Sequence, residues 1–297
     1  MLFVRAVLTN QLAKYAHPLY LKLGNRSGRG DPNEKPEVTA GYYHQCVHDY
    51  FEQLSLGERT PGSYLQGKKV LEYGPGDTLG VALLLYAHGA ESVHCVDRFP
   101  IHAVAERTLK IYQALLQSLH GEQRVRAENA FNERGNPKSG FNPTAIAYHV
   151  TEDGVSGRQS AYDLVISRSV LALVNRLDQT LQDISRALKP GGISIHKVDL
   201  GSHGLDRDRP LDFLSWPEVL YRMMYSRKGR PNRWRVDKYQ ELVSATGLRL
   251  LKLTPTSQLT QQETELVRPK LAKPFRALPP DLLSWLGFWM VLERVAS

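Results

Sequence analysis

The stretch KKVLEYGPGDTLG, residues 68–80, decides the fold. A short apolar run ends on the carboxylate of Glu72, a Gly-Pro-Gly turn follows, and a helical pattern begins near Thr78. Glycines on both sides of Pro75 let the main chain approach a ligand that a Cβ would hold off. Working outward, strand and helix patterns alternate. SVHCVD (92–97) and TAIAYHV (144–150) predict strands, and YDLVIS (162–167) is a nearly continuous apolar run, as in a strand covered on both faces. ISIHKVDL (193–200) predicts a fifth strand. Between them lie helices over 78–88, over 102–121 with Val104, Thr108, Tyr112, Leu115 and Leu119 on one face, and over 176–188, where Lys-Pro-Gly-Gly ends the periodicity. This alternation implies a parallel sheet with right-handed crossovers.

The flanks are less regular. Residues 24–38 are rich in Gly, Pro and charge and read as a linker, and YYHQCVHDYFEQL (42–54) reads as a helix ahead of the first strand. Residues 201–235 are basic, aromatic and irregular. A helix resumes at 236–247, and LRLLKLTPT (248–256) and GFWMVLERV (287–295) are late strands. The expected architecture is Rossmann-like: a doubly wound, mostly parallel seven-stranded sheet whose last strand is antiparallel. Residues 1–60 form a helical cap and linker, and 61–297 form one domain with insertions at about 201–235 and 256–284.

Composition sets the outer limits. The 297 residues are 42% hydrophobic and 23% charged, ordinary values for a soluble globular chain. No run reaches the roughly 18 apolar residues of a membrane span. The first 22 residues alternate apolar and basic groups without a signal-peptide pattern. A helix packed on the domain is the favoured reading there, and weak peripheral contact with a membrane surface is the other. Cys46 and Cys95 have neither metal-site nor disulfide spacing, which suggests a reducing, cytoplasmic setting. The net charge of +8 favours an anionic partner, and RMMYSRKGRPNRWR (222–235) holds six Lys or Arg and no acid.

Which ligand suits the glycine turn? A dinucleotide fingerprint needs a third glycine where Leu79 stands, and Asp77 at the helix mouth repels a diphosphate. No Gly-Lys-Ser/Thr follows, so a P-loop is excluded. S-adenosylmethionine carries a sulfonium and an ammonium and no phosphate, so Glu72 and Asp77 favour it. Asp97, 21 residues beyond Gly76, can accept hydrogen bonds from both hydroxyls of a ribose.

VLEYGPGDTLG, VDRF, YDLVISRSVLALV and LQDISRALKPGGISI together resemble the class I S-adenosylmethionine-dependent methyltransferases, strongly over residues 65–200. One position departs from the family's pattern: Thr78 replaces its last glycine. The resemblance implies S-adenosylmethionine as cofactor, with S-adenosylhomocysteine as product. Glu72, Tyr73, Gly74, Pro75 and Gly76 would border its methionine end, and Asp97 its ribose. Arg98 and Phe99 would flank the adenine, Glu152 or Asp153 would meet the adenine amino group, and Ser167 and Arg168 would face the methyl.

The acceptor side is sought after the fifth strand, in HKVDLGSHG (196–204). His196 or His203 could be a general base oriented by Asp199; the three could also hold a divalent metal, but no metal is assigned. Arg233, Trp234 and Arg235 suit an anionic or sugar-like group, and Tyr42, Tyr43 and His44 could line the acceptor cavity. The VDLGSH and NRWR segments resemble uncharacterised bacterial methyltransferases of saccharide or secondary-metabolite pathways. O-methylation of a small polar acceptor is therefore expected, with nitrogen and carbon acceptors left open. The RNA methyltransferase is the runner-up: the Asn/Asp-Pro-Pro-Tyr/Phe and Pro-Cys signatures of base methylation are absent, and no RNA-binding domain is appended. A nicotinamide-dependent oxidoreductase and a non-catalytic cofactor-binding module are the readings from other classes.

Overall fold

The protein is described by a computed structural model covering residues 2–16, 19–20, 34–54, 56–57, 59–102, 105–202, 210–228 and 230–295. The expected linker over 24–38 and His203 therefore fall largely or wholly outside the described residues. Seven strands form one sheet in the order β3-β2-β1-β4-β5-β7-β6: β1 Lys69–Tyr73, β2 Ser92–Asp97, β3 Ile146–Val150, β4 Tyr162–Arg168, β5 Leu188–Asp199, β6 Leu248–Gln258 and β7 Trp285–Arg294. β1 is central, parallel to β2 on one side and to β4 on the other; Tyr73 sits opposite Val96 and Ser167. β2 continues parallel to β3, with Asp97 opposite Val150. The carboxyl ends of β1, β2 and β4 thus share one edge. The sheet is mostly parallel and its last strand antiparallel, as expected.

The chain forms two compact units. One comprises residues 27–167, 183–195 and 292–297; it holds β1 to β4 without Arg168 and the first part of β5. Its core helices are α2 (Pro36–Gln53), which packs on α4 (Gly80–Ala87) and α5 (Glu106–Ser118). A short α3 (Pro61–Leu65) precedes β1. Thr108, Tyr112 and Leu115 of the expected stripe are buried on α5. Gly121, expected as a stop, does follow the end of α5, but it also opens a further helix, α6 (Gly121–Asn129), which the polar composition concealed. Arg126 secures α6 by donating to the carbonyls of Tyr86 (3.0 Å) and Ala90 (2.7 Å). A buried knot holds β1 from its other end: the Asp183 carboxylate accepts from Tyr73 Oη, from Ser156 N (2.6 Å) and from Gly157 N (2.9 Å).

The other unit comprises residues 1–26, 168–182 and 196–291. It contains α1 (Leu2–Tyr15), β6, most of β7, and the segment expected to be irregular, which in fact forms α8 (Glu218–Tyr225). α7 (Leu177–Ala187) lies across the boundary of the two units in sequence. α9 (Val236–Ser244) packs on β6, and α10 (Gln261–Val267), α11 (Lys273–Arg276) and α12 (Pro280–Ser284) fill the interval before β7. Leu211, Phe213, Leu214, Tyr221, Leu271 and Leu283 make a separate apolar core under this segment. Among the described residues no helix is long and apolar enough to cross a membrane.

Candidate active site

The turn after β1 takes the form its glycines permit. Gly74 has φ +63° and Gly76 φ +84°, a region that costs other residues about 1 kcal/mol or more. Gly74 N donates to Val96 O at 2.8 Å, which ties the turn to β2. Two acids are buried beside it. Glu72 is pushed up to about 8 by burial, and only the thiol of Cys95, 3.7 Å away, favours its charge. Asp97 is pushed up to about 6, again by burial, although the N–H groups of Phe99, Arg98 and Gly76 pull the other way. Phe99 N lies 3.1 Å from Asp97 Oδ1. Among the described residues no Lys, Arg or His pairs with either carboxylate. With no described protein cation beside them, the two buried acids hold their protons more tightly than usual, and a cationic ligand is what would draw out both charges.

Tyr43 joins this turn. Its ring packs so closely on the start of α4 that a Cβ at Gly80 would lie 2.4 Å from Tyr43 Cδ2. Burial, and then the Asp77 carboxylate, raise its phenol well above the ordinary tyrosine range, with the Thr78 hydroxyl as a partial offset. Tyr43, sought among acceptor-lining residues, thus sits at the glycine turn. Tyr42 is half-buried beside it, with ring centroids 5.6 Å apart. His44 points elsewhere: its Nε2 shares a 2.7 Å hydrogen bond with Ser118 Oγ on α5. It is removed from the acceptor set, because helical geometry sends consecutive side chains to different faces. Tyr73 is corrected too. Its hydroxyl is spent on Asp183, so only its main chain borders the turn.

At the end of β2, the Arg98 guanidinium lies over the Phe99 ring at 5.1 Å. Thr151 N donates to Asp97 O at 3.0 Å, and Gly154, at φ +73°, passes so near Arg98 that a Cβ there would meet Arg98 Cβ at 3.2 Å. The loop bearing Glu152 and Asp153 is therefore laid against Arg98, with both acids exposed. Two residues absent from the sequence expectation stand here as well. His102 Nδ1 is 3.0 Å from Asp77 O, and its ring stacks edge-on against Tyr148 at 5.3 Å. Tyr148 Oη donates to Phe99 O at 2.9 Å. Both line a cavity of about 260 Å³ with Leu79 and Phe141. The only sequence signal was their place just beyond β2 and within β3. Ser167 is fully buried at the end of β4.

The second unit holds the acceptor-side candidates. His196 is fully buried, and burial drives its pKa down to about 3. A side chain sealed in this way does not reach an acceptor, so His196 is withdrawn as the base. Asp199 closes its own turn: Oδ1 accepts from Gly201 N at 2.9 Å. Arg168 lies over Trp289 at 5.7 Å. The NRWR segment is a structural anchor. Asn232 Nδ2 donates to Leu171 O (2.8 Å) and Val174 O (3.2 Å), pinning this segment to the loop after β4. Arg233, at φ +69°, donates to Trp216 O (2.6 Å) and to Glu218, and lies 4.3 Å from the centre of the Tyr221 ring. Arg235 donates to the carbonyls of Leu200 (3.1 Å), Leu283 (3.1 Å) and Trp285, and burial lowers its pKa to about 10. Both arginines are buried, and these donors are already engaged. Their expected role as direct anchors of an acceptor is corrected to that of wall-builders.

The wall they build encloses a cavity of about 720 Å³. Seven cationic side chains line it (Arg176, Arg222, Arg227, Arg230, Arg233, Arg235 and Lys238) against two acids, Glu218 and Asp237. Half-buried Trp234 and Tyr225 add aromatic surface. Arg233 pairs with Glu218, Arg176 with Asp178 and Lys238 with Glu241, so the positive field of the cavity is what remains after those pairs.

A family model described as a methyltransferase domain matches residues 47–253. No curated protein matches the chain. Several solved structures are similar. An S-adenosylmethionine-dependent methyltransferase from Mesorhizobium loti is 18% identical over 77% of this chain and 92% of that one, with a TM-score of 0.42. Geranyl diphosphate C-methyltransferase from Streptomyces coelicolor A3(2) is 12% identical over 90% and 86%, at 0.47. Phosphoethanolamine N-methyltransferase 2 from Haemonchus contortus is 15% identical over 84% and 52%, at 0.45.

Proposed function

The chain belongs to the methyltransferase domain family, as a class I S-adenosylmethionine-dependent enzyme, and from that premise we propose that it methylates an oxygen of a small, polar, negatively charged acceptor. Membership sets aside the nicotinamide oxidoreductase and the non-catalytic module. S-adenosylmethionine is the cofactor, and the residues present suit it: the left-handed glycines admit close main-chain approach, and buried Glu72 and Asp97, with no cation paired to them among the described residues, suit its positive charge and hydroxyl donors. Glu72, the Gly74–Gly76 main chain and Tyr43 would hold the methionine end. Asp97 would take the ribose hydroxyls, Phe99, His102 and Tyr148 the adenine, and Ser167 would border the methyl. When bound there, the cofactor supplies an electrophilic methyl on a sulfonium sulfur.

The observation that carries the acceptor class is the cavity with seven cations against two acids. Arg222 and Arg227 are its exposed arginines on and after α8, and they supply the forks that grip a carboxylate or phosphate. Tyr225 and Trp234 suit the apolar or sugar-like remainder. A hydroxyl acceptor must lose a proton, and with His196 withdrawn the base is assigned to His203, beside Asp199 in the chain after β5. A saccharide or secondary metabolite bearing an acid group fits this description.

The test is a methyl-transfer screen of hydroxylated acids against their neutral esters or amides, with and without a chelator. Acids should be preferred. Arg222→Gln with Arg227→Gln should raise their KM about tenfold or more with kcat little changed, and His203→Ala should depress kcat. Preference for neutral analogues would sink the acceptor class, and loss of activity on chelation would move the base role to a metal.

A further inference from the structure

Helix α1 carries more apolar surface than its packing uses. Its inner face is clamped to α8: Asn10 Nδ2 donates to Met223 O (2.9 Å) and Ser226 Oγ (3.2 Å), Asn10 Oδ1 accepts from Arg227 N (2.9 Å), and Lys228 Nζ donates to Ala6 O (2.6 Å). Asn10 and Ala13 are buried there. At about 100° per residue, Val4, Leu8, Gln11 and Tyr15 fall together on the opposite face. That face is open: Val4 is 59% exposed, Leu8 64% and Tyr15 74%. Exposed Arg5 lies along one side of this stripe and exposed Lys14 along the other, and the helix has no acid. Its partner α8 also exposes an apolar pair, Val219 (71%) and Met223 (45%).

The geometry points to a negatively charged lipid surface as the occupant of this face, with α1 lying in the plane of the headgroups. An apolar ridge edged by cations matches the boundary between acyl chains and anionic headgroups, because the ridge enters the apolar layer while the cations stay among the phosphates. The helix cannot span: 14 residues reach about 21 Å, short of the roughly 30 Å hydrocarbon core. A second copy fits worse. A twofold antiparallel contact centred on the stripe would edge one side of the seam with Arg5 of both copies and the other side with Lys14 of both, with no acid on the helix to pair with either. This inference is independent of the acceptor proposed above.

Co-sedimentation of the full chain with vesicles tests it, comparing pure phosphatidylcholine with mixtures containing phosphatidylglycerol. The protein should bind the anionic vesicles and release at high salt, and should leave the neutral ones in the supernatant. Leu8→Glu should lower partitioning about tenfold or more and Lys14→Gln about fivefold, with circular dichroism and methyl transfer to a soluble acceptor unchanged. Failure of the unmodified chain to bind anionic vesicles overturns the inference, as does undiminished binding by Leu8→Glu. A dimer in light scattering that Leu8→Glu dissociates would assign the face to a second copy instead.

Discussion

On the proposed reading, Glu72 and Asp97 are the residues on which ligand and pH act together. Each folded carboxyl holds its proton more tightly than in the unfolded chain, so each favours folding most below the ordinary carboxylate range. That contribution is lost as pH rises through about 6 for Asp97 and about 8 for Glu72. His196 acts oppositely. Its lowered pKa costs stability only as pH falls below its ordinary value. From about pH 7 to pH 9 the His196 imidazole is neutral in both states, and the buried Cys95 thiol, also raised, acts in the same direction as Glu72, so the Glu72 share is read from its variant. The melting temperature of the ligand-free chain should fall across that interval, and Glu72→Gln should flatten the fall. Affinity for S-adenosylmethionine should move the other way, rising as Glu72 ionises to meet the cofactor's positive charge. Calorimetry should also show Asp97→Ala weakening the cofactor about ten- to a hundredfold. An affinity independent of pH, or an Asp97→Ala variant that binds normally, would take these acids out of the site.

The informative contact between elements is that of α2 with α4. Gly80 is tolerated at the helix start because the Tyr43 ring occupies the volume a Cβ would take. Gly80→Ala should therefore cost about 1–3 kcal/mol in denaturant unfolding and also weaken cofactor binding, since Tyr43 borders the glycine turn. The double variant Gly80→Ala, Tyr43→Ala should show non-additivity, part of the clash having been relieved. Additive losses would mean that the ring is free to move. Strands β1 to β5 could be read from their apolar runs, and α5 and α7 from their stripes. Helices α6 and α8 could not. α6 is largely polar, and α8, though mostly apolar, lies in a basic, aromatic stretch that reads as irregular; what holds both is tertiary: the carbonyls Arg126 reaches, and the Asn10 clamp.

Across the whole molecule, the charge of +8 is distributed unevenly. The buried acids Glu72 and Asp97 lie at the glycine turn with no cation paired to them among the described residues, while seven cations line one cavity of the other unit. On the proposed reading these cations serve a small acid and not a polynucleotide, which needs a continuous track along its backbone. RNA should bind weakly, with affinity falling steeply between low and physiological salt as counterions are released. Filter binding over a salt series checks this. A tight complex persisting at physiological salt, and lost in the Arg222→Gln, Arg227→Gln variant, would restore the nucleic-acid reading.

The sequence by itself determined the α/β class, the glycine turn, the acid at the end of β2 and the family. These depend on period, spacing and local backbone freedom, all of which are written in consecutive residues. Only the tertiary structure decided which polar side chains are available. Arg233 and Arg235 look like ligands in the sequence but are consumed by carbonyls and Glu218, His196 is sealed in the core, and Tyr43 belongs to the turn. Whether a donor or a base is spent or free depends on partners far along the chain: Arg235 meets carbonyls 35, 48 and 50 residues away. No local pattern encodes that accounting, because burial and partner are properties of the packed chain.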